Sequence, residues 1–124
     1  MMLLDTDIFV DYLRNFPSAV SFFHTLTQKN DVFFSAISEA ELVAGSANTD
    51  KEKKLLLLRF LFRFHKLDVN NPTAVLAGDL ARDYALEIPD AIIAATAILH
   101  NAELLTRNAK DFKKIKGLVV RVPY

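Results

Sequence analysis

From Asp90 to His100 the chain carries Ile92, Ile93, Ala94, Ala95, Ala97, Ile98 and Leu99, so a helix over this stretch is apolar on nearly every face. Such a helix is enclosed on several sides rather than laid on a surface. The rest of the chain must supply that cover. Apolar runs at Met2 to Leu4, Val32 to Ser35, Glu103 to Thr106 and Leu118 to Val122 read as strands, with a short extended segment from His65 to Val69. Helical stretches lie between them. They run from about Asp7 to Arg14, from near Ser18 through Leu26, from Ser38 to Leu42 and from Lys51 to about Phe62. Asn71-Pro72 opens another, carrying Val75, Leu76, Leu80 and Leu86, and a short helix follows from about Asn108. Strands alternating with helices predict an α/β fold built on a parallel β-sheet.

The 124 residues suit a single domain, 1–124, with no internal repeat or dividing linker. There is no cysteine, which excludes a disulfide framework, a thiolate zinc site and a cysteine nucleophile. The longest greasy run, Leu55 to Phe64, is broken by Arg59 and Arg63 and is too short to cross a bilayer. Met1 to Asp5 does not read as a signal peptide. The expectation is a cytoplasmic protein with no membrane partner. Formal net charge is zero. Basic residues nevertheless gather at Lys51 to Lys66 and at Arg107 to Arg121. Alone, each stretch reads as a solvated face; beside a catalytic cleft it can meet phosphates.

The chemistry lies in the acids. Ligands of an open parallel sheet bind beyond the carboxyl ends of its strands. Asp5 ends the first strand, Glu41 follows the second, and Asp111 follows the Glu103-to-Thr106 strand. Asp90 begins the helix that feeds that strand, so it belongs at the same edge. Each acid also has a structural reading. Asp90 after Pro89 caps a helix. Ser38 to Glu41 forms a capping box. Asp5 and Asp7 face the positive end of a helix. Asp111 is a solvated acid among lysines. What these readings leave unexplained is the convergence, because clustered carboxylates repel one another and a bound cation removes that cost. His24, His65 and His100 lack metal-ligand spacing. No phosphate-cradling glycine loop or G-x-S-x-G elbow is present.

Leu3-Leu4-Asp5-Thr6-Asp7, Ile37 to Gly45, Asp90 to Ala97 and Leu105 to Phe112 together resemble the successive motifs of PIN domains, and most closely those of the VapC toxins of prokaryotic toxin–antitoxin pairs. The resemblance spans nearly the whole chain, in order. It implies a three-layer α/β/α fold and a Mg²⁺- or Mn²⁺-dependent endoribonuclease. It also implies a homodimer neutralised by a small VapB-like antitoxin. Asp5, Glu41 rather than Glu39, and Asp90 match the first three acids of the pattern. The fourth acidic position falls on Asn108, with Asp111 as the nearby carboxylate. On this reading Asp5, Asp90 and Asp111 hold the metal, and Glu41 orients or deprotonates the attacking water. Thr6, Thr106 and Asn108 fix the carboxylates. RNA is cut to a 5′-phosphate and a 3′-hydroxyl.

Two rival readings remain open at this point. One is a catalytically silent PIN-like module that binds RNA or protein. The other is a phosphatase of the haloacid-dehalogenase type, since Asp5-Thr6-Asp7 follows a strand. The abundant phenylalanines read mainly as core, and any exposed remainder as a groove for an antitoxin helix. Gly78 inside a helix suggests a close helix approach.

Overall fold

A computed structural model describes residues 1–26 and 31–124. Five strands, β1 (Met2–Leu4), β2 (Val32–Ser35), β3 (His65–Leu67), β4 (Glu103–Leu105) and β5 (Val119–Arg121), form one parallel sheet in the order β3-β2-β1-β4-β5. Among the described residues the α-helices are α1 (Thr6–Leu13), α2 (Pro17–Leu26), α3 (Ala36–Val43), α4 (Lys51–Leu61), α5 (Asn71–Tyr84), α6 (Ile88–Leu99) and α7 (Ala109–Phe112), with one 3-10 turn at Ser46–Thr49.

The strands are apolar without alternation because both faces of the sheet are covered. Leu4, Phe34 and Leu105 are paired in register and pack against Ile8 and Phe9 of α1, Phe23 and Leu26 of α2, and Leu57 and Leu61 of α4. Their neighbours Leu3 and Leu104 point to the other face, since successive side chains alternate. That face is covered by Ala77 and Leu80 of α5, by α6, and by Phe112 of α7. The result is the expected three-layer α/β/α arrangement. Phe9 anchors the first layer, with the rings of Phe23, Phe34, Phe60 and Phe64 all within 6.2 Å of its own. Most phenylalanines are therefore core, as expected, while Phe62 is 88 % exposed.

The middle of α6 is buried from Ala91 to Ala97 except for half-buried Ile92, but Ile88 and Leu99 at its ends are exposed. Enclosure thus holds for its central turns and not for its whole length. Several local expectations are corrected. The cap of α3 is Ser35, at the end of β2, whose hydroxyl accepts the Ile37 N–H; Ser38 lies inside the helix and no capping box forms. Asn70 rather than Asn71 caps α5, accepting from the Thr73 N–H and hydroxyl. Leu86 falls outside α5, which stops at Ala85 in the left-handed region, φ 55°. The N-cap of α6 is Glu87, so Asp90 sits in the first turn and does not cap it. A Cβ at Gly78 meets nothing within 4 Å, so no close approach among the described residues explains that glycine.

Candidate active site

The chain runs outward from β1 through β2 to β3, then returns to the other side of β1 to form β4 and β5. The loops after β1 and β4 therefore diverge, and such a reversal opens a crevice at the carboxyl edge of the sheet. Asp5 leaves β1 here and Thr106 leaves β4. The Asp5 N–H is bonded to the Leu105 carbonyl at 2.9 Å, which fixes the two loops together. The crevice, of ≈ 290 Å³, is lined by Asp5, Thr6, Asp7, Val10, Glu41, Asp90 and Asn108. A larger concavity of ≈ 430 Å³ lies around Met1, Asn101 and Glu103, at the amino ends of the strands. It holds one acid, whereas four meet in the crevice.

Asp5 is nearly buried, and both of its carboxylate oxygens are hydrogen-bonded. Its Oδ1 accepts the Thr6 N–H at 2.7 Å as the N-cap of α1, and its Oδ2 accepts the Thr106 hydroxyl at 2.7 Å. Thr106 in turn accepts the Asn108 N–H at 2.9 Å. Across the crevice Thr6 Oγ1 stands 2.7 Å from Glu41 Oε1 and 2.8 Å from Ser38 Oγ. One hydroxyl proton cannot serve both oxygens. The carboxylate can only accept, so Thr6 donates to Glu41 and Ser38 donates to Thr6. Glu39 is turned away and paired with Lys66 at 3.0 Å. Asp111 does not line the crevice; its Oδ2 accepts from Asn108 Nδ2 at 2.7 Å, at the rim.

Among the described residues no Lys, Arg or His forms an ion pair with Asp5, Asp7, Glu41, Asp90 or Asp111. The uncompensated charge appears in the titration of the acids. Burial, reinforced by Asp7, pushes the Asp5 carboxyl up to about 7, against the opposing bonds from Thr106 and Thr6. Burial also raises Asp90 to about 6, followed by repulsion from Asp5 and Glu41. Asp7 is raised as well, chiefly by burial, and its Oδ1 is buried without a hydrogen-bond partner. Carboxylates held this way bind a proton or a cation more readily than solvated ones.

The sequence profile described as PIN domain matches residues 2–118. The chain belongs to the PIN-domain family. Within it, the sequence is similar to the VapC ribonucleases: ribonuclease VapC19 of Mycobacterium tuberculosis is 34% identical over 125 residues, 95% of this chain and 97% of that protein. Of solved structures, a toxin–antitoxin complex from Klebsiella pneumoniae contains a chain with TM-score 0.84 and 31% identity, covering 100% of this chain and 98% of that one. VapBC2 from Rickettsia felis, bound to a DNA fragment from their promoter, contains one with TM-score 0.81 and 29% identity, covering 97% and 96%. The haloacid-dehalogenase reading is thereby set aside.

The four motifs of this PIN domain thus supply a single crevice, with Asp5, Glu41, Asp90 and Asn108 lining it and Asp111 reaching it through Asn108. Two groups of the site were not among the sequence candidates. Asp7, which lines the crevice, was read only as a helix-end acid, and its signal was the acid-x-acid spacing after the strand. Ser38, which is buried behind Thr6 and bonded to it, was read as a cap. Among the described residues no group of three or more His, Asp or Glu side chains is already placed to hold a metal ion. Magnesium does not need one, because it is held by one or two carboxylates, water and substrate phosphate. An oxygen-only donor set, an unpartnered buried carboxylate oxygen and raised carboxyl pKa values fit a hard divalent cation.

Thr106 is the support of Asp5 most exposed to test. Thr106→Val deletes the proton donor on Oδ2 and leaves the Asn108 N–H without its acceptor. Asp5 then titrates higher still, since a bond to the charged form has been lost. With Asp5 read as a metal ligand, the expected outcome is Mn²⁺ affinity roughly tenfold weaker, as for losses of groups that orient ligands, with uptake shifted to higher pH. Calorimetry across a pH series checks both.

Proposed function

We propose that this PIN domain is a Mg²⁺- or Mn²⁺-dependent endoribonuclease acting as the toxin of a VapBC-type toxin–antitoxin pair. The observation that carries the reading is the convergence of Asp5, Glu41 and Asp90 in one crevice with, among the described residues, no cationic side chain paired to them. Asp5 and Asp90 would hold the ion, with Asp111 contributing from the rim through Asn108. When bound, the ion neutralises the acids that would otherwise repel an RNA phosphate, polarises the phosphoryl oxygens and lowers the pKa of bound water.

The chain's own groups do the rest. Thr106 and the Thr6 N–H fix both Asp5 oxygens, so the carboxylate presents one orientation to the crevice. Thr6 holds one oxygen of Glu41. The Glu41 carboxylate thus orients the attacking water and takes its proton as the new P–O bond forms. The bond from phosphorus to the 3′-oxygen breaks in line with its electron pair leaving on that oxygen, which takes a proton from solvent, so the products are a 5′-phosphate and a 3′-hydroxyl. Attack by the RNA's own 2′-hydroxyl would need no such water and gives a different end. Analysis of the termini of cleaved RNA is the test: 5′-phosphate and 3′-hydroxyl ends are expected, and a 2′,3′-cyclic phosphate contradicts the mechanism.

The partner reading follows from surface chemistry. Leu13, Leu55, Leu56 and Phe62 are all exposed on α1, α4 and the residue after α4, and Leu13 and Leu56 line one groove with Leu42 and Leu57. An apolar groove of this kind, with further exposed apolar residues on and just after α4, suits an amphipathic partner segment. The partner is an antitoxin, by analogy with the complexes of the related proteins. Val75 on α5 and Ile88 and Leu99 on α6 leave further apolar surface for a second copy in a homodimer.

A further inference from the structure

Asp7 hangs on a residue one hundred positions away. Its Oδ2 accepts the Arg107 N–H at 3.1 Å, while its Oδ1 is buried and unpartnered. The Arg107 donor belongs to the loop that also carries Thr106, whose hydroxyl stands 3.5 Å from the same Asp7 oxygen, and Asn108. The Arg107 side chain takes the opposite course. Its guanidinium reaches Asp11 Oδ2 at 3.4 Å and lies over two rings, 4.8 Å from the centre of Tyr124 and 5.3 Å from that of Phe16. The Tyr124 hydroxyl donates to the same Asp11 oxygen at 2.7 Å, and its ring packs edgewise on Phe16 and Phe22.

Asp7 and Asp11 are four residues apart on α1, so they stand one turn apart on the same side of the helix. Arg107 therefore grips α1 at two points, by its backbone at Asp7 and by its side chain at Asp11. The Thr106 N–H bonds to the Arg121 carbonyl at 3.1 Å, which ties the same loop to the end of β5, three residues before Tyr124. We infer that Arg107 and Tyr124 are positioning residues for the carboxylate crevice: their clamp on Asp11 sets where the Thr106–Asn108 loop stands against α1, and hence how Asp5 and Asp7 are presented to a divalent cation. The planar guanidinium is what makes this possible, since it covers both rings while bonding in its own plane; an ammonium does not. The inference rests on the metal-dependent reading above.

The test is Mn²⁺ binding by calorimetry without RNA, alongside steady-state cleavage and thermal melts, on wild type, Arg107→Ala, Arg107→Lys and Tyr124→Phe. Arg107→Ala keeps the peptide N–H and removes only the grip. It is expected to weaken Mn²⁺ roughly tenfold, the scale of other losses of groups behind a metal ligand, and to lower kcat with KM for RNA nearly unchanged. Arg107→Lys does not restore affinity, and Tyr124→Phe moves it in the same direction by less. Should Arg107→Ala fail to fold, Tyr124→Phe, which deletes one oxygen, decides the matter by any weakening of Mn²⁺ at an unchanged melting temperature. Wild-type Mn²⁺ affinity in the folded variants overturns the inference. So does a rise in KM alone with a shallower salt dependence, the mark of a lost contact to RNA phosphate. A wild-type protein that binds no Mn²⁺ overturns the nuclease reading and this inference with it.

Discussion

Asp5→Asn is expected to abolish RNA cleavage and, without divalent ions, to stabilise the fold. The two effects share one cause. Asp5 is nearly buried beside Asp7 and Glu41 with no cation paired to it among the described residues, so its charge is costly in the folded protein until an ion arrives. An amide removes the charge yet keeps the frame. Its oxygen accepts the Thr6 N–H, and its NH₂ donates to Thr106, whose own proton then turns toward Asp7 Oδ2, 3.5 Å away. Cleavage should fall by roughly 10³-fold, comparable to losing one preorganised electrostatic group from an active site. The melting temperature of the ion-free protein near pH 8 should rise by about 5 °C, equivalent to roughly 1–2 kcal/mol. Cleavage rates and melts on the same preparation check both. A variant that loses activity and also melts lower points instead to a structural role for the charge.

Ion-free wild type should become less stable as the pH rises from about 4 to about 8. Asp5 and Asp90 titrate at about 7 and about 6 when folded, above the ordinary carboxylate value of 3.8. Between the unfolded and folded values the folded state holds more protons than the unfolded one. The stabilisation from protonation is therefore full below the unfolded value and is lost as pH rises through the folded one. For Asp5 the span of roughly three units corresponds to on the order of 4 kcal/mol. Asp90 is partly solvated and adds in the same direction, reduced by screening. Saturating Mn²⁺ should reverse the trend near pH 8, since a ligand at a hundred times its Kd contributes about 2.7 kcal/mol. Near pH 4.5 it should do little, because protons occupy the same oxygens. Melts across pH, with and without Mn²⁺, give the answer. A flat ion-free profile would show that the acids are not held charged against their environment.

These charges were legible in the sequence because the strands that carry them were. Leu3-Leu4, Phe33-Phe34 and Leu104-Leu105 are adjacent apolar pairs, the pattern of strands covered on both faces. With those strands placed, Asp5 and the Thr106–Asn108 loop follow at their carboxyl ends, and α6 delivers Asp90 to the same edge. Local competition hid the rest. Ser35 and Ser38 both suit a helix cap; the serine at the strand end takes it because β2 stops there, which frees Ser38 to bond Thr6. Leu86 looked helical because the residue that ends α5 is alanine, and a left-handed alanine leaves no glycine-like mark. Asp7 was missed for a different reason. Its partner is the peptide of Arg107, and a backbone donor across the fold has no signature in side-chain spacing. The Asp11, Arg107 and Tyr124 clamp is hidden in the same way.

The most direct test of the account is cleavage of a mixed RNA pool by the partner-free protein, with Mn²⁺, with Mg²⁺ and with chelator, and with Asp5→Asn as control. The account predicts cleavage that needs both the ion and Asp5. Cleavage that persists undiminished in chelator would contradict the role given to the carboxylates. No cleavage by a folded, ion-loaded protein would contradict the nuclease reading and leave a PIN domain that binds without cutting.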